Sequence, residues 1–305
     1  MTRNSSPAWA SRRCERDAGA AVRRAFSRAA PSYDSAAVVA RETGLRMAER
    51  LDLVRIAPAR IADIGCATGD GLRQLQRRYP AALPLAVDSA SAMLAAVKAR
   101  TSLGQRLFGR APCLVNADAR ALPLAGGSLG LAWSNLMLHW LDDPLPVFRE
   151  LNRVLEVGGL LMFSMLGPDT LKELRAACAD AGVVAPLRSF LDMHDVGDAL
   201  LAAGFADPVM DMEMLTLTYR TARGLLADQR HLGVRDGLLG RLPWRDWRKV
   251  LSAYAGRRVD GRLSASFEIV YGHAWKAQPR TIDDGRAIVR FETRASAPSR
   301  AWPKS

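Results

Sequence analysis

The sequence predicts an α/β fold built around a mainly parallel sheet, and three observations support this. Short apolar runs alternate with stretches of helical length along the first two thirds of the chain. Acidic residues stand at the ends of successive apolar runs. The segment RIADIGCATGDG at residues 60–71 joins the first run to a helical stretch through a turn broken by glycines. Short strands that are buried on both faces and alternate with helices are typical of parallel, Rossmann-like sheets with helical crossovers.

The apolar runs predict five strands, each bounded by turn residues. These strands cover residues 60–64, 83–87, 113–116, 129–134 and 160–165. The remaining stretches predict helices at residues 36–54, 70–79, 90–100, 144–155, 169–181 and 192–203. Pro144 at the start of one helix and the Gly158-Gly159 pair after its end are residues that commonly mark helix termini.

The pattern changes after residue 182. Residues 208–219 alternate like an exposed edge strand, and residues 267–275 read as a last strand. The helical stretch between them predicts a cap, at about residues 220–260, inserted before an antiparallel edge of the sheet. Residues 220–248 of the cap carry seven arginines: Arg220, Arg223, Arg230, Arg235, Arg241, Arg245 and Arg248. Residues 1–18 and 293–305 lack a hydrophobic period, which predicts disordered ends around one folded domain at residues 19–292.

The composition favours a cytoplasmic globular protein. Hydrophobic residues make up 49% of the chain, but no apolar run reaches the roughly 18 to 20 residues of a membrane span. The four cysteines stand far apart, so neither a disulfide framework nor a metal site is expected. The net charge of +12 suits an acidic partner, yet there is no compact basic run of the kind that binds nucleic acid. Residues 1–30 are rich in Arg and Ser like a mitochondrial transit peptide, although Glu15 and Asp17 interrupt that pattern.

Three acidic residues predict a nucleoside site at one edge of the sheet. Asp63 and Asp88 end the first two strands, and Asp118 lies just past the third. In open α/β sheets the ligand lies beyond the carboxyl ends of the strands. There, a carboxylate at Asp88 can accept hydrogen bonds from both ribose hydroxyls, and Asp118 can reach an adenine amino group.

The glycine turn differs from the G-x-G-x-x-G turn of dinucleotide sites. It has Gly65, Ala67 and Gly69, and Asp70 at the start of the following helix would repel a phosphate. A cationic sulfonium nucleoside without a phosphate suits this acidic edge better.

Several segments resemble known families. The resemblance to class I S-adenosylmethionine-dependent methyltransferases rests on DIGCATG at residues 63–69, Asp88, the turn at residues 116–119 and AWSNLMLHW at residues 132–140. A narrower resemblance, to the malonyl-acyl-carrier-protein O-methyltransferases of biotin synthesis, rests on four segments. They are RRAFSRAAPSYDSAA at 23–37, FSMLGPDTLKELR at 163–175, the segment at 190–219 that begins FLDMHDVGD, and FEIVYGHAW at 267–275. The similarity covers about residues 22–276, and it implies the class I methyltransferase fold with an N-terminal helical lid.

This resemblance also implies roles for individual residues. Those expected to bind S-adenosylmethionine are Tyr33, Asp63, Gly65, Cys66, Gly69, Asp88, Ser89, Met93, Asp118, Ala119 and Asn135. On the substrate side the candidates are Tyr33, which belongs to the lid, together with His139, Trp140 and Arg235. Arg235 and Asp236 replace residues that are more usual in the family.

The implied reaction is methyl transfer to the free carboxylate of a malonyl thioester on acyl carrier protein, an acidic partner. A carboxylate is ionised at neutral pH, so no general base is needed and catalysis rests on positioning and desolvation. We therefore expect no dedicated catalytic residue, no metal, a monomer, and a cationic group from the arginine-rich cap that holds the carboxylate.

Three alternatives stay open. The segments GPDTLKELR and HDVGD also resemble the respiratory complex I assembly factors that are linked to hydroxylation of a protein arginine. The chain could equally methylate another small molecule, or bind the cofactor as an assembly protein without catalysis.

Overall fold

One mixed sheet of seven strands forms the centre of the computed structural model, which describes residues 8–107 and 109–278, with side chains from residue 19. The strands are β1 (Arg60–Ile64), β2 (Leu83–Asp88), β3 (Cys113–Asn116), β4 (Leu129–Asn135), β5 (Leu155–Leu166), β6 (Phe205–Tyr219) and β7 (Leu263–Lys276). Their order is β3-β2-β1-β4-β5-β7-β6, and only the pairs made by β7 are antiparallel. The predicted fold class, a mainly parallel sheet with an antiparallel edge, is confirmed.

Helices cover both faces of the sheet. They are α1 (Ala8–Ala29), α2 (Tyr33–Ala36), α3 (Val38–Arg50), α4 (Asp70–Arg78), α5 (Ser91–Arg100), α6 (Leu103–Leu107), α7 (Leu145–Val154), α8 (Lys172–Asp180), α9 (Met193–Ala202), α10 (Ala222–His231), α11 (Arg235–Leu238) and α12 (Trp244–Ala255). Strand β4 shows how the two faces divide: Leu131 and Trp133 join the core under α3, α8, α10 and α12, whereas Ala132 joins the core under α7 and α9. This alternation follows from the two-residue period of a strand.

Several elements differ from the sequence prediction. The helix predicted at 36–54 is divided into α2, α3 and a 3₁₀ turn at Leu51–Leu53. Residues 8–18, predicted to be disordered, form the first turns of α1, while the predicted tail at 293–305 lies outside the described residues. Strand β5 begins at Leu155, before the Gly158-Gly159 pair, because the strand continues through a register shift opposite β4 instead of starting after the glycines.

The far edge of the sheet is fixed by charge. Strand β6 is the edge strand, and its Asp211 and Glu213 form ion pairs with Arg50 and Arg46 of α3. Charged side chains on an edge strand discourage pairing with a further strand. The cap predicted at 220–260 consists of α10, α11 and α12, which connect β6 to β7.

Two further properties of the described chain bear on the expected class of protein. None of its helices combines the length and apolar character needed to cross a bilayer. Cys66, Cys113 and Cys178 are free thiols.

Gly272 in β7 is required by close packing against Phe163, its registered partner in β5. A Cβ added at Gly272 would lie 2.2 Å from Cζ of the buried Phe163 ring. We expect Gly272→Ala to lower the free energy of unfolding by about 1–3 kcal/mol, because overpacking displaces the ring. Urea denaturation measures the change.

Gly197 in α9 provides the matched control. Its added Cβ would meet only Met210 Cγ, at 3.8 Å. Gly197→Ala should therefore stabilise the helix, by up to about 1 kcal/mol. Equal effects of the two substitutions would contradict the packing explanation.

Candidate active site

The turn between β1 and α4 lies against the loop that follows β4. Gly65 and Gly69 have φ values of 76° and 82°, and Ala67 also has a positive φ of 45°. The N–H groups of Gly65 and Cys66 donate to the Val87 carbonyl at 2.8 and 3.0 Å. A Cβ on Gly65 would approach Met137 Cγ to 2.4 Å, so glycine is needed for this close approach as well as for the positive φ.

Asp88, at the end of β2, connects this turn to the start of α5. One carboxylate oxygen accepts a hydrogen bond from the Ala67 N–H at 3.0 Å, and the other accepts from the Ala90 N–H at 2.7 Å. Burial raises the pKa of Asp88, and the two N–H bonds act in the opposite direction. A carboxylate has about four acceptor positions, so two remain for a ligand.

A cavity of about 370 Å³ lies beyond the carboxyl ends of β1, β2 and β4. This is the point where the strand order reverses between β1 and β4, the usual ligand site of an open α/β sheet. Of the residues predicted to bind the cofactor, seven line it: Tyr33, Gly65, Asp88, Ser89, Asp118, Ala119 and Asn135. We call it the donor cavity.

Asp118 lies at one end of the donor cavity and is paired with Arg120. Its carboxylate accepts from Arg120 Nη2 at 2.7 Å, from Nε at 3.0 Å and from the backbone N–H at 2.9 Å. These bonds lower the pKa of Asp118, which keeps it ionised. Helix α1 contributes a further part of the wall, through residues that include Gly19, Arg23 and Phe26.

An adjoining cavity of about 230 Å³ is lined by charged residues of both signs. It contains the predicted residues Asp63 and Cys66, and it shares Tyr33, Gly65 and Asn135 with the donor cavity. Asp63 is only 2% exposed, and burial, followed by the charge of Asp88, raises its pKa to about 7. Burial also raises the pKa of Tyr33, so its hydroxyl remains protonated at neutral pH.

Asn135 forms the floor common to these two cavities. Its Nδ2 donates to the Ala40 carbonyl of α3 at 2.8 Å, and its Oδ1 accepts from Ser164 Oγ of β5 at 2.7 Å. Because both ends of the amide are held, its orientation is fixed before any ligand binds.

The lid segment is tied to the glycine turn beside these cavities. Asp34 of α2 accepts a hydrogen bond from Thr68 Oγ1 at 2.6 Å and forms an ion pair with Arg100 of α5. Arg100 Nη1 also donates to the Thr68 carbonyl at 3.1 Å. These contacts hold the neighbouring Tyr33 over the glycine turn.

A smaller cavity of about 70 Å³ meets the donor cavity at four shared residues, Phe26, Tyr33, Leu136 and Trp140. We call it the acceptor cavity. The candidates His139 and Trp140 both line it. His139 is 5% exposed, and burial, aided by the charge of Arg188, lowers its pKa to about 3. Its imidazole is therefore neutral at physiological pH.

Three predicted site residues lie elsewhere. Met93 is fully buried in α5, and Gly69 caps α4 with Val97 beside it. Arg235 is half-buried in α11 and is absent from the described linings of all three cavities.

The expected cationic group from the cap is not found in the acceptor cavity. Among the described lining residues there is no cap arginine, and six of the seven arginines at residues 220–248 are exposed. Water solvates a guanidinium better than an apolar wall does, and this places those side chains at the surface.

Sequence reasoning missed three kinds of site residue. It passed over Phe26, whose ring stands edge-on to Trp140 with centroids 5.6 Å apart. It did not identify the Ala67 N–H that holds Asp88, since backbone groups leave no trace in side-chain patterns. It also missed Gln229. A signal was present in the sequence, because Gln229 is a polar residue within the apolar helical stripe of Leu225, Leu226 and Leu232.

This site suits a nucleoside that carries a positive charge. Its volume lies in the range of small-ligand pockets, Asp88 has acceptor positions to spare for hydroxyls, and the buried Asp63 gains from a nearby cation. Asp70 in the first turn of α4 disfavours a phosphate at that helix end. The described residues contain no cluster of three or more His, Cys, Asp or Glu that could hold a metal ion.

Comparison with known proteins identifies methyltransferases. The family model described as "Methyltransferase domain" matches residues 62–163. Two solved structures share the fold: the YcgJ protein of Bacillus subtilis, with a TM-score of 0.53 and 13% identity over 78% of this chain and 99% of that chain, and a putative methyltransferase of Bacillus halodurans, with a TM-score of 0.53 and 14% identity over 76% and 99%. At such identities the likeness concerns the fold alone.

Sequence relatives are much closer. The malonyl-[acyl-carrier protein] O-methyltransferase of Gallionella capsiferriformans is 50% identical over 278 residues, which is 88% of this chain and 95% of the relative. The protein of the same name from Laribacter hongkongensis is 49% identical over 290 residues, or 90% and 96%. The chain therefore belongs to the malonyl-[acyl-carrier protein] O-methyltransferase family and has the class I S-adenosylmethionine-dependent methyltransferase fold.

Proposed function

We propose that this protein transfers the methyl group of S-adenosylmethionine to the free carboxylate of malonyl-acyl carrier protein, giving the methyl ester. The observation that carries the proposal is the junction of two cavities. A polar donor cavity with acidic strand ends meets a small acceptor cavity with mainly apolar walls at Tyr33 and Trp140. The names of the family relatives identify the acceptor.

We infer the residues that hold the donor from the linings of the two polar cavities. Asp88 accepts the ribose hydroxyls, and Asp118 and Ala119 flank the base. Asp63 lines the adjoining cavity of about 230 Å³, where it attracts the amino group of the methionine part. Asn135 forms the floor that this cavity shares with the donor cavity. When bound, S-adenosylmethionine supplies an electrophilic methyl group, whose transfer to a carboxylate requires no proton removal.

The rest of the catalysis comes from positioning and the exclusion of water. The acceptor is already an anion, so the neutral, buried His139 is not needed as a base. The apolar walls of the acceptor cavity and the lid over it keep water from the carboxylate, which increases its reactivity. Tyr33, fixed by its neighbour Asp34, contributes a neutral hydroxyl at the junction.

The wider role is part of the same proposal. Methylation hides the malonyl charge, so that chain-extending enzymes can accept the ester on a route to biotin. We propose that the enzyme acts as a monomer in the cytoplasm. The exposed cap arginines and the net charge of +12 favour encounter with an acidic carrier protein. The family relatives favour this activity over arginine hydroxylation or cofactor binding without turnover.

Incubation with labelled S-adenosylmethionine and malonyl-acyl carrier protein should give a base-labile methyl ester. Mass spectrometry of the intact carrier protein measures the product. The acetyl-loaded carrier protein, which lacks the carboxylate, is the control and should stay unlabelled. Binding of the donor without any transfer to the malonyl thioester would contradict the proposed acceptor.

Asp88→Asn should weaken donor binding by roughly tenfold to a hundredfold, because charge-assisted hydrogen bonds to the ribose are lost. The new amide also places N–H groups against the N–H of Ala67 or Ala90. Calorimetric titration measures the affinity. Asp52→Asn, which removes the negative charge of the exposed partner of Arg78, is the control and should bind normally. Unchanged affinity in a folded Asp88→Asn protein would exclude the ribose contact.

Donor binding should depend on pH through Asp63. Its pKa of about 7 lies above the unfolded value, so its stabilising contribution is present below about pH 4 and is lost as the pH rises through 7. A cationic donor binds the ionised form better. The ratio of wild-type to Asp63→Asn affinity should therefore fall about tenfold between about pH 8 and pH 6. Titration of the donor itself cancels in this ratio, and a constant ratio would contradict the role of Asp63.

A further inference from the structure

The acceptor cavity has a polar corner away from the donor cavity. It is formed by Tyr219 at the end of β6 and by Asp228 and Gln229 of α10. None of these three residues lines the donor cavity among the described residues. The remaining wall of the acceptor cavity is mostly aliphatic and aromatic.

Gln229 is an unpartnered polar group in this corner. Gln229 is 2% exposed, and its side-chain amide makes no hydrogen bond to the described residues. The neighbouring Tyr219 hydroxyl is buried beside Asp228, and burial together with this carboxylate raises the pKa of Tyr219. A buried amide that makes no hydrogen bond is destabilising, and a ligand that accepted from it would remove this cost. The N–H groups of Gln229 are available for such a ligand.

The polar corner suits the neutral part of the acceptor. Its carboxylate must lie at the junction near Tyr33 and Trp140, because only there can it reach the methyl donor. Asp228 would in addition repel an anion placed in the corner. A malonyl group also carries a thioester carbonyl, which one methylene separates from the carboxylate. That carbonyl is a neutral acceptor and matches the free N–H of a glutamine.

We propose that Gln229 determines acceptor specificity by donating a hydrogen bond from Nε2 to the thioester carbonyl of the malonyl group. This inference rests on the proposed function. It assigns recognition of the second carbonyl to a neutral donor in the cap and gives the cap a role in selecting the acyl group. Carboxylates that lack this carbonyl should then be poor acceptors even though the reacting group is the same.

The test compares two proteins on two acceptors. Wild type and Gln229→Met are compared on malonyl-acyl carrier protein and on the carrier protein loaded with a 2-carboxyethyl thioether, in which a methylene replaces the thioester carbonyl. Wild type should prefer the malonyl group by about tenfold to a hundredfold in kcat/KM. Gln229→Met should lose this preference through slower malonyl transfer, with its thioether rate unchanged.

Two controls separate recognition from folding. Gln76→Met removes a hydrogen bond from Nε2 to the Arg110 carbonyl, 2.9 Å long, outside the donor and acceptor cavities, and should keep the wild-type preference. Thermal melting and donor affinity report on folding, and Gln229→Leu provides a second apolar variant if Gln229→Met is unstable.

The outcomes distinguish this inference from the proposed function. Equal loss on both acceptors would show that Gln229 has a structural role, and an unchanged preference would show that it does not contact the carbonyl. Either result overturns the inference while methylation of malonyl-acyl carrier protein by wild type stands. Failure of wild type to methylate that acceptor would overturn both.

Discussion

The bidentate use of Asp88 is the interaction on which the site depends. Its two oxygens bind the Ala67 N–H of the glycine turn and the Ala90 N–H at the start of α5. The turn is thereby fixed against the end of β2, where Gly65 and Cys66 already donate to Val87. The position of this turn defines the walls of the donor cavity, and the same carboxylate retains acceptor positions for a ligand.

The site keeps negative charge in a place where the folded protein alone does not favour it. Asp63 is buried near Asp88 and Asp70, and its raised pKa shows that ionisation is disfavoured without a ligand. Such an arrangement lowers stability near neutral pH and is relieved by a cationic donor. The acceptor cavity differs in its charge. Its described lining provides no cation, so the protein leaves a bound carboxylate desolvated, which suits a nucleophile.

Much of the fold could be predicted because its strands are short apolar runs between turn residues. Strands β1 and β3 have the predicted bounds, and β2 and β4 each extend one residue further. The beginning of α1 was missed because residues 8–18 are rich in Arg and Ala and show no apolar period. The start of β5 was missed because the two glycines read as a helix end, whereas they lie within a strand that has a register shift.

The sequence by itself determined the sheet, the cap insertion and the acidic strand ends at Asp63 and Asp88, since local period and composition encode them. The tertiary structure alone decided which groups converge. It joined the lid to the glycine turn through Asp34 and Thr68, and it brought Gln229 to the acceptor cavity. It left most cap arginines in solvent. The physical reason is that exposure, desolvation and long-range hydrogen bonding depend on how elements distant in sequence pack together, and residue spacing carries little information about that packing.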